Sequence, residues 1–224
     1  MKRHLIWIAL LLSAAGLLAP GVGLFAQDIT LTKPPARLGT DVLDAIRERT
    51  AARTFVARDV PLADLSVMVW AGNGMKDTPD AVSGASKAGS TIPISGDVNY
   101  INLYVLTAKG AWRFLPAKNL LQQVASGDVR ASITPEVVPS AALMFVFTAD
   151  STKAPPFMKK MPALFHDVAN GSASYGAENI GLVAGSLKMS AIVMYNLKMD
   201  TLASALKLPK EELPLCLTQV GYTK

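Results

Sequence analysis

The segment SYGAENIGLVAGSLKM, Ser174 to Met189, is rich in glycine, alanine and serine and holds only two charged residues. Small side chains all round a helix let neighbours approach it from every side, so the pattern predicts a helix buried on nearly all faces. A helix of that kind needs other layers around it. The period of this region is helical from Met158 to Leu187, with an interruption expected near Asn170 and Gly171.

The covering layers are legible on both sides. TDVLDAIRERTAAR offers Thr40 or Asp41 as N-cap and places Val42, Leu43 and Ile46 at helical spacing. A second helix begins near Pro61, carries Leu62, Leu65, Met68 and Val69, and stops at the GNG of residues 72–74. Residues 77–91 are small, polar and without period, which predicts a long loop. A β-hairpin is expected over 101–107 and 111–115, a buried strand over 141–148, a short strand over 190–195, a short helix over 201–206 and a last strand over 215–221. Strands and helices mix without strict alternation. The predicted class is α+β, with a central, mainly antiparallel sheet flanked by helices.

The first 26 residues stand apart from the domain. Lys2 and Arg3 precede an apolar run from Leu5 to Leu18, then a Pro20-Gly21 break and Ala26, a secretory signal peptide pattern. Export to the periplasm or the extracellular space follows, and membrane attachment only if the leader stays uncleaved, since the apolar stretch approaches the length of a spanning helix. The Pro-rich residues 27–39 read as an extended tether, and the domain proper as 40–224. Loss of Lys2 and Arg3 lowers the formal charge from +5 to +3, and no basic cluster longer than a pair follows, which argues against nucleic acid as a partner. The single cysteine, Cys216, sits in an apolar run and cannot form an internal disulfide; it reads as a buried small hydrophobe.

Several chemistries are excluded by the side chains. Beyond the leader there is one histidine, His166, and one cysteine, too few for the common transition-metal sites. No serine sits in a G-x-S-x-G elbow, and neither a G-x-x-x-x-G-K-[ST] loop nor a G-x-G-x-x-G fingerprint occurs. No catalytic acid, base or nucleophile is assigned. What remains is RERTAARTF, Arg47 to Phe55. Arg49 and Arg53, four apart, are expected on the same face at the end of the first helix, where two guanidinium forks can converge on a phosphate or carboxylate. A solvated basic helix end is the alternative from spacing alone. The polar turn PISGDVN, Pro93 to Asn99, is a second candidate ligand contact.

The order of short segments resembles the nitroreductase superfamily of flavin mononucleotide (FMN) enzymes, on the side of the thiazoline/oxazoline dehydrogenase group. RTAARTF is similar to its R-x-S-x-R/K-x-F pattern, and PLADLSVMVWAGNG to its P-L-x-x-L-S-x-L-L-W-A-A-N-G. PISGDVNYINLYVL corresponds to the P-S-A-x-N-x-Q loop and following strand, and KGAWRF to the K-G-A-Y-x-Y hairpin. SGDVR, ENIGLVAGSLKM and the closing LKLP and VGY complete the series. The resemblance runs from about Ile29 to Lys224. It implies a nitroreductase-like fold, a homodimer, and FMN at the dimer interface. Carried over position by position, the cofactor-binding candidates are Arg49, Thr50, Ala51, Arg53, Ser95, Asp97, Asn99 and Tyr195. The family takes a hydride from a reduced nicotinamide and passes electrons to a nitro, quinone or heterocyclic small-molecule acceptor in a ping-pong cycle. In an exported protein the electron donor is open.

Departures from the pattern fall on these same positions. Ala51 stands where the family has serine, Thr50 replaces a basic neighbour, Ile94 and Asp97 replace a serine and an asparagine, Asn99 a glutamine, and Tyr195 falls where a glycine lies near the flavin N5. Two further readings therefore stay open beside the oxidoreductase: a non-catalytic protein of this fold that has lost flavin chemistry and binds another ligand or partner, and a purely structural exported domain.

Overall fold

The computed structural model describes residues 27–79, 88–96, 98–134 and 140–224. The leader, residue 97 and the middle of the expected 77–91 loop lie outside them. The strands, in chain order, are β1 (Ile29–Thr30), β2 (Met75–Pro79), β3 (Ala88–Ser90), β4 (Ile101–Thr107), β5 (Gly110–Leu115), β6 (Leu120–Ser126), β7 (Leu143–Asp150), β8 (Ser190–Met194) and β9 (Glu212–Gly221). The helices are α1 (Val42–Glu48), α2 (Leu62–Asn73), α3 (Arg130–Ile133), α4 (Pro156–Lys159), α5 (Pro162–Ser186) and α6 (Met199–Leu206).

Seven strands form one sheet in the order β1-β6-β5-β4-β7-β9-β8, antiparallel at every pairing, and β2 and β3 pair separately. β4 and β7 are near-continuous apolar runs because both of their faces are covered. Leu103, Val105, Phe145 and Phe147 pack towards α2 and α5, while Tyr104, Leu106, Met144 and Val146 pack in a second core with Leu202 and Leu206 of α6. The alternation of two along each strand sorts the residues between the two cores. Cys216 is buried in the first of these, and burial pushes its thiol up to about 12, so it behaves as a packed hydrophobe.

α5 covers the Gly-Ala-Ser segment as a helix, but it is not buried on nearly all faces as expected: Tyr175 and Glu178 are exposed on the side away from the sheet and α2, because only one stripe of the helix is packed against them. Its Gly176 lies so close to α2 and β7 that a Cβ there would stand 2.5 Å from the Gly72 carbonyl oxygen and 2.7 Å from the Phe147 ring. The expected interruption at Asn170 and Gly171 does not occur. The helix is continuous because Phe165, Ala169, Ser172, Ala173 and Ile180 bury one stripe against the sheet and α2, and this packing outweighs the weak helix propensity of the Asn-Gly pair. His166 lies on the outer surface of the same helix beside the Asn170 amide.

The N-terminal stretch is extended but does not hang free. Ile29 and Thr30 pair with Leu121 and Leu120 of β6, Leu31 is buried, and the Trp112 indole donates to the Gln27 carbonyl at 3.0 Å. The unforeseen strand β6 fills the sheet between β5 and β1.

Candidate functional site

α1 starts where its sequence says it should: the Asp41 carboxylate accepts from the Asp44 amide at 2.9 Å as N-cap. It ends earlier than expected, at Glu48. Arg49 already has extended backbone, with φ −62° and ψ 118°. The cause is a competing partner for the chain: the Thr50 carbonyl accepts from the Ala191 amide at 3.0 Å, and the Thr50 hydroxyl meets that of Ser190 at 2.7 Å. Arg49 and Thr50 run along α5 and β8 instead of continuing α1. Arg49 and Arg53 therefore do not share a helix face, and the spacing argument for their convergence is corrected on this point.

Arg49 is placed by α5. Its backbone crosses Gly185, where an added Cβ would stand 2.9 Å from the Arg49 nitrogen and 3.0 Å from its Cα. Its side chain passes over Gly181 and ends with Nε 3.1 Å from Glu178 Oε1. A second ion pair, Lys188 Nζ to Glu48 Oε1 at 2.7 Å, fastens the end of α1 to the far end of the same helix. Both pairs are partly exposed, so each stabilises by at most about 1 kcal/mol and serves mainly to orient. Tyr195, immediately after β8, directs its hydroxyl to within 3.1 Å of Ser174 Oγ, with the ring largely exposed. Ala51 brings no side-chain donor to this surface, and Arg53 follows in the exposed stretch before buried Phe55.

The loop candidates belong to another neighbourhood. The Ser95 amide donates to the Tyr100 hydroxyl at 3.4 Å, which in turn lies 3.4 Å from Ser172 Oγ on α5. The Asn99 amide donates to Asn73 Oδ1 at 2.7 Å and its carbonyl caps the Ile101 amide, while Asn73 donates to the Ile101 carbonyl. The Thr91 carbonyl accepts from Asn179 at 3.3 Å. Asp97 is outside the described residues.

These contacts define two sides of one helix. At about 100° per residue, Ser174, Glu178, Gly181 and Gly185 fall on one side of α5, and Ser172 and Asn179 on the opposite side. Arg49, Thr50 and Tyr195 line the first side; Ser95 and Asn99 belong to the second. One chain thus brings together the arginine segment and Tyr195 but separates them from the loop. Glu178, Ser174, Ser190 and Gly185 were missed as site-shaping residues. The one signal for Glu178 is that it is the only acid between Asp167 and Asp200.

In chemical terms the arginine side offers guanidinium donors beside one carboxylate. A guanidinium has five N–H donors, and Nε of Arg49 lies 3.1 Å from Glu178 Oε1. Arg49, at a fixed place beside an extended backbone segment, suits the phosphate end of a flavin nucleotide. At the ring end Asn99 is committed to the fold by its bonds to Asn73 and Ile101.

Comparison with known proteins gives the family and the fold. The sequence model of the nitroreductase family matches residues 46–222. A crystal structure from Ralstonia eutropha JMP134, assigned as a nitroreductase, is 28% identical with a TM-score of 0.76, covering 91% of this chain and 92% of that one. The NADPH:FMN oxidoreductase of Vibrio harveyi, complexed with NAD+, shares the fold at 14% identity and a TM-score of 0.55, covering 81% of this chain and 68% of that one. An FMN-dependent nitroreductase of Clostridium difficile R20291 does so at 15% and 0.53, covering 82% and 88%. No curated protein matches significantly. With the family pattern spanning most of the chain and the antiparallel sheet wrapped around one central helix, this protein belongs to the nitroreductase family.

Proposed function

We propose that this protein is an FMN-dependent oxidoreductase that acts as a homodimer and holds each flavin between two protomers. The observation that carries the proposal is the placement of the two halves of the candidate site on opposite sides of α5. A flavin gripped at its phosphate by Arg49, and covered at its ring by the loop that carries Ser95 and Asn99, needs the loop of a second copy. An apolar face without cover in its own chain supports the same reading: Val42, Leu43 and Ile46 of α1 are 66%, 58% and 54% exposed, and no residue of α1 is buried.

When bound, FMN supplies the redox chemistry, taking electrons from a reduced nicotinamide or another donor and delivering them to a nitro, quinone or heterocyclic acceptor. The chain supplies placement. Arg49 neutralises phosphate charge, Glu178 orients Arg49, the Thr50 backbone holds the segment on β8, and the Tyr195 ring limits what reaches the cofactor. The leader directs export, so the flavin is acquired after the chain has crossed.

Titration of the purified protein with FMN, followed by the flavin visible spectrum, tests this. The expected result is saturable binding that Arg49→Ala weakens at least tenfold, since one charge-assisted bond contributes about 1.5–3 kcal/mol, and reduction of a nitroaromatic by a nicotinamide donor in the loaded protein. A folded protein that takes up no FMN contradicts it. That outcome favours a second reading, a ligand-binding protein of the same fold, for which the Glu178 charge beside Arg49 and the bulk of Tyr195 are the supporting observations.

A further inference from the structure

A cavity of about 860 Å3 is lined by residues of β1, β4, β5, β6, the start of β7, α3 and the start of α2. It shares no residue with the flavin candidates. Its accessible floor is apolar: Leu65 and Trp112 keep 8% and 5% of their surface, and Ile29, Val60 and Ala142 are half-buried, over a fully buried layer of Val105 and Leu121. The cavity is an open cleft whose volume lies within the range of small-molecule sites.

The rim is of a different character. Arg58, Asp59 and Lys109 line it and are exposed. The Arg58 guanidinium is steadied 4.0 Å above the Tyr222 ring. Arg130, in the wall, adds no net charge, because Asp128 pairs with it through two hydrogen bonds of 2.8 and 2.7 Å and the Ala141 carbonyl accepts a third. Two cations therefore face one acid around an apolar pit.

We propose that this cavity is a binding site for a small amphipathic organic anion, a monocarboxylate with an aliphatic or aromatic body. The body lies on Trp112, Leu65 and the half-buried Ile29, Val60 and Ala142, and the carboxylate is held at the rim by Lys109 and Arg58. The site is independent of the flavin reading and stands or falls separately from it.

The test uses the purified protein with 8-anilinonaphthalene-1-sulfonate as fluorescent probe, displaced by decanoate, decanol or decylamine. Decanoate is expected to displace the probe at least tenfold more effectively than decanol or decylamine. Lys109→Glu, on an exposed hairpin turn, removes that preference, and Ala57→Trp at the rim weakens all binding while thermal melts stay unchanged. Saturating FMN does not displace the probe. Equal displacement by all three chains, probe fluorescence indifferent to both substitutions, displacement by FMN, or binding that falls as protein concentration rises and a second copy covers the cavity would each overturn the proposal.

Discussion

Arg49 Nε lies 3.1 Å from Glu178 Oε1, so the arginine that the family pattern assigns to the cofactor is held by an acid on the helix it crosses. The carboxylate orients the guanidinium but also repels an incoming phosphate. Glu178→Gln keeps a hydrogen-bond acceptor and removes the charge. It is expected to raise FMN affinity severalfold, more at low salt than at high, measured by flavin titration at two ionic strengths. Weaker binding in the variant would mean that orientation outweighs repulsion.

The crossing of Arg49 over α5 depends on Gly185. A Cβ there meets the Arg49 nitrogen and Cα and the Glu48 carbonyl carbon at 2.9–3.0 Å, all of them backbone atoms that cannot rotate away. Gly185→Ala is expected to displace residues 48–50 from β8, cost about 1–3 kcal/mol by overpacking, and weaken FMN binding along with it. Gly171→Ala on the same helix, where a Cβ meets nothing, is the control and should be neutral or stabilising in urea melts.

Tyr195 occupies a position where the family carries glycine, and its hydroxyl reaches Ser174. Tyr195→Gly is expected to admit bulkier quinone acceptors, seen as a fall in KM for large but not small acceptors. Tyr195→Phe, which loses only the Ser174 contact, should leave this selectivity in place. Equal effects of the two substitutions would assign the selectivity to the hydroxyl and not to the ring.

Arg130 is buried, and Asp128 is its charge partner. The side-chain hydrogen bonds from Arg130 hold the Asp128 carboxyl below its ordinary value of 3.8, against a smaller opposing effect of burial. A lowered folded value means that the contribution to stability is complete above the unfolded Asp range and is lost as pH falls through the folded one. Asp128→Asn is expected to cost about 1–3 kcal/mol at pH 7 by leaving the buried guanidinium short of its charge partner. The gap to the unsubstituted protein should narrow as urea midpoints are taken down towards pH 3.

The elements with one dominant pattern were legible in the sequence. α2 begins after Pro61 and ends at Gly74 as its Pro and Gly punctuation indicates, and the apolar runs of β4, β7 and β9 form the middle of the sheet. What local pattern misread was decided by tertiary partners. α1 stops at Glu48 because β8 offers the Thr50 carbonyl a donor, and α5 passes through Asn170-Gly171 because its apolar stripe is continuous across them. The site followed the same division. Arg49 was found by its motif, but Glu178, 129 positions away, meets it only because α1 lies across α5. The separation of the loop from the arginines has no mark in the linear order, since it depends on which side of one helix each segment reaches.

Sedimentation velocity of the FMN-loaded protein, monitored at the flavin absorption band over a dilution series, tests the two-protomer site most directly. The account predicts that flavin sediments only with dimer, at one per protomer, and is released as the dimer dissociates. Flavin that sediments with a monomer, or a dimer that carries none, contradicts it.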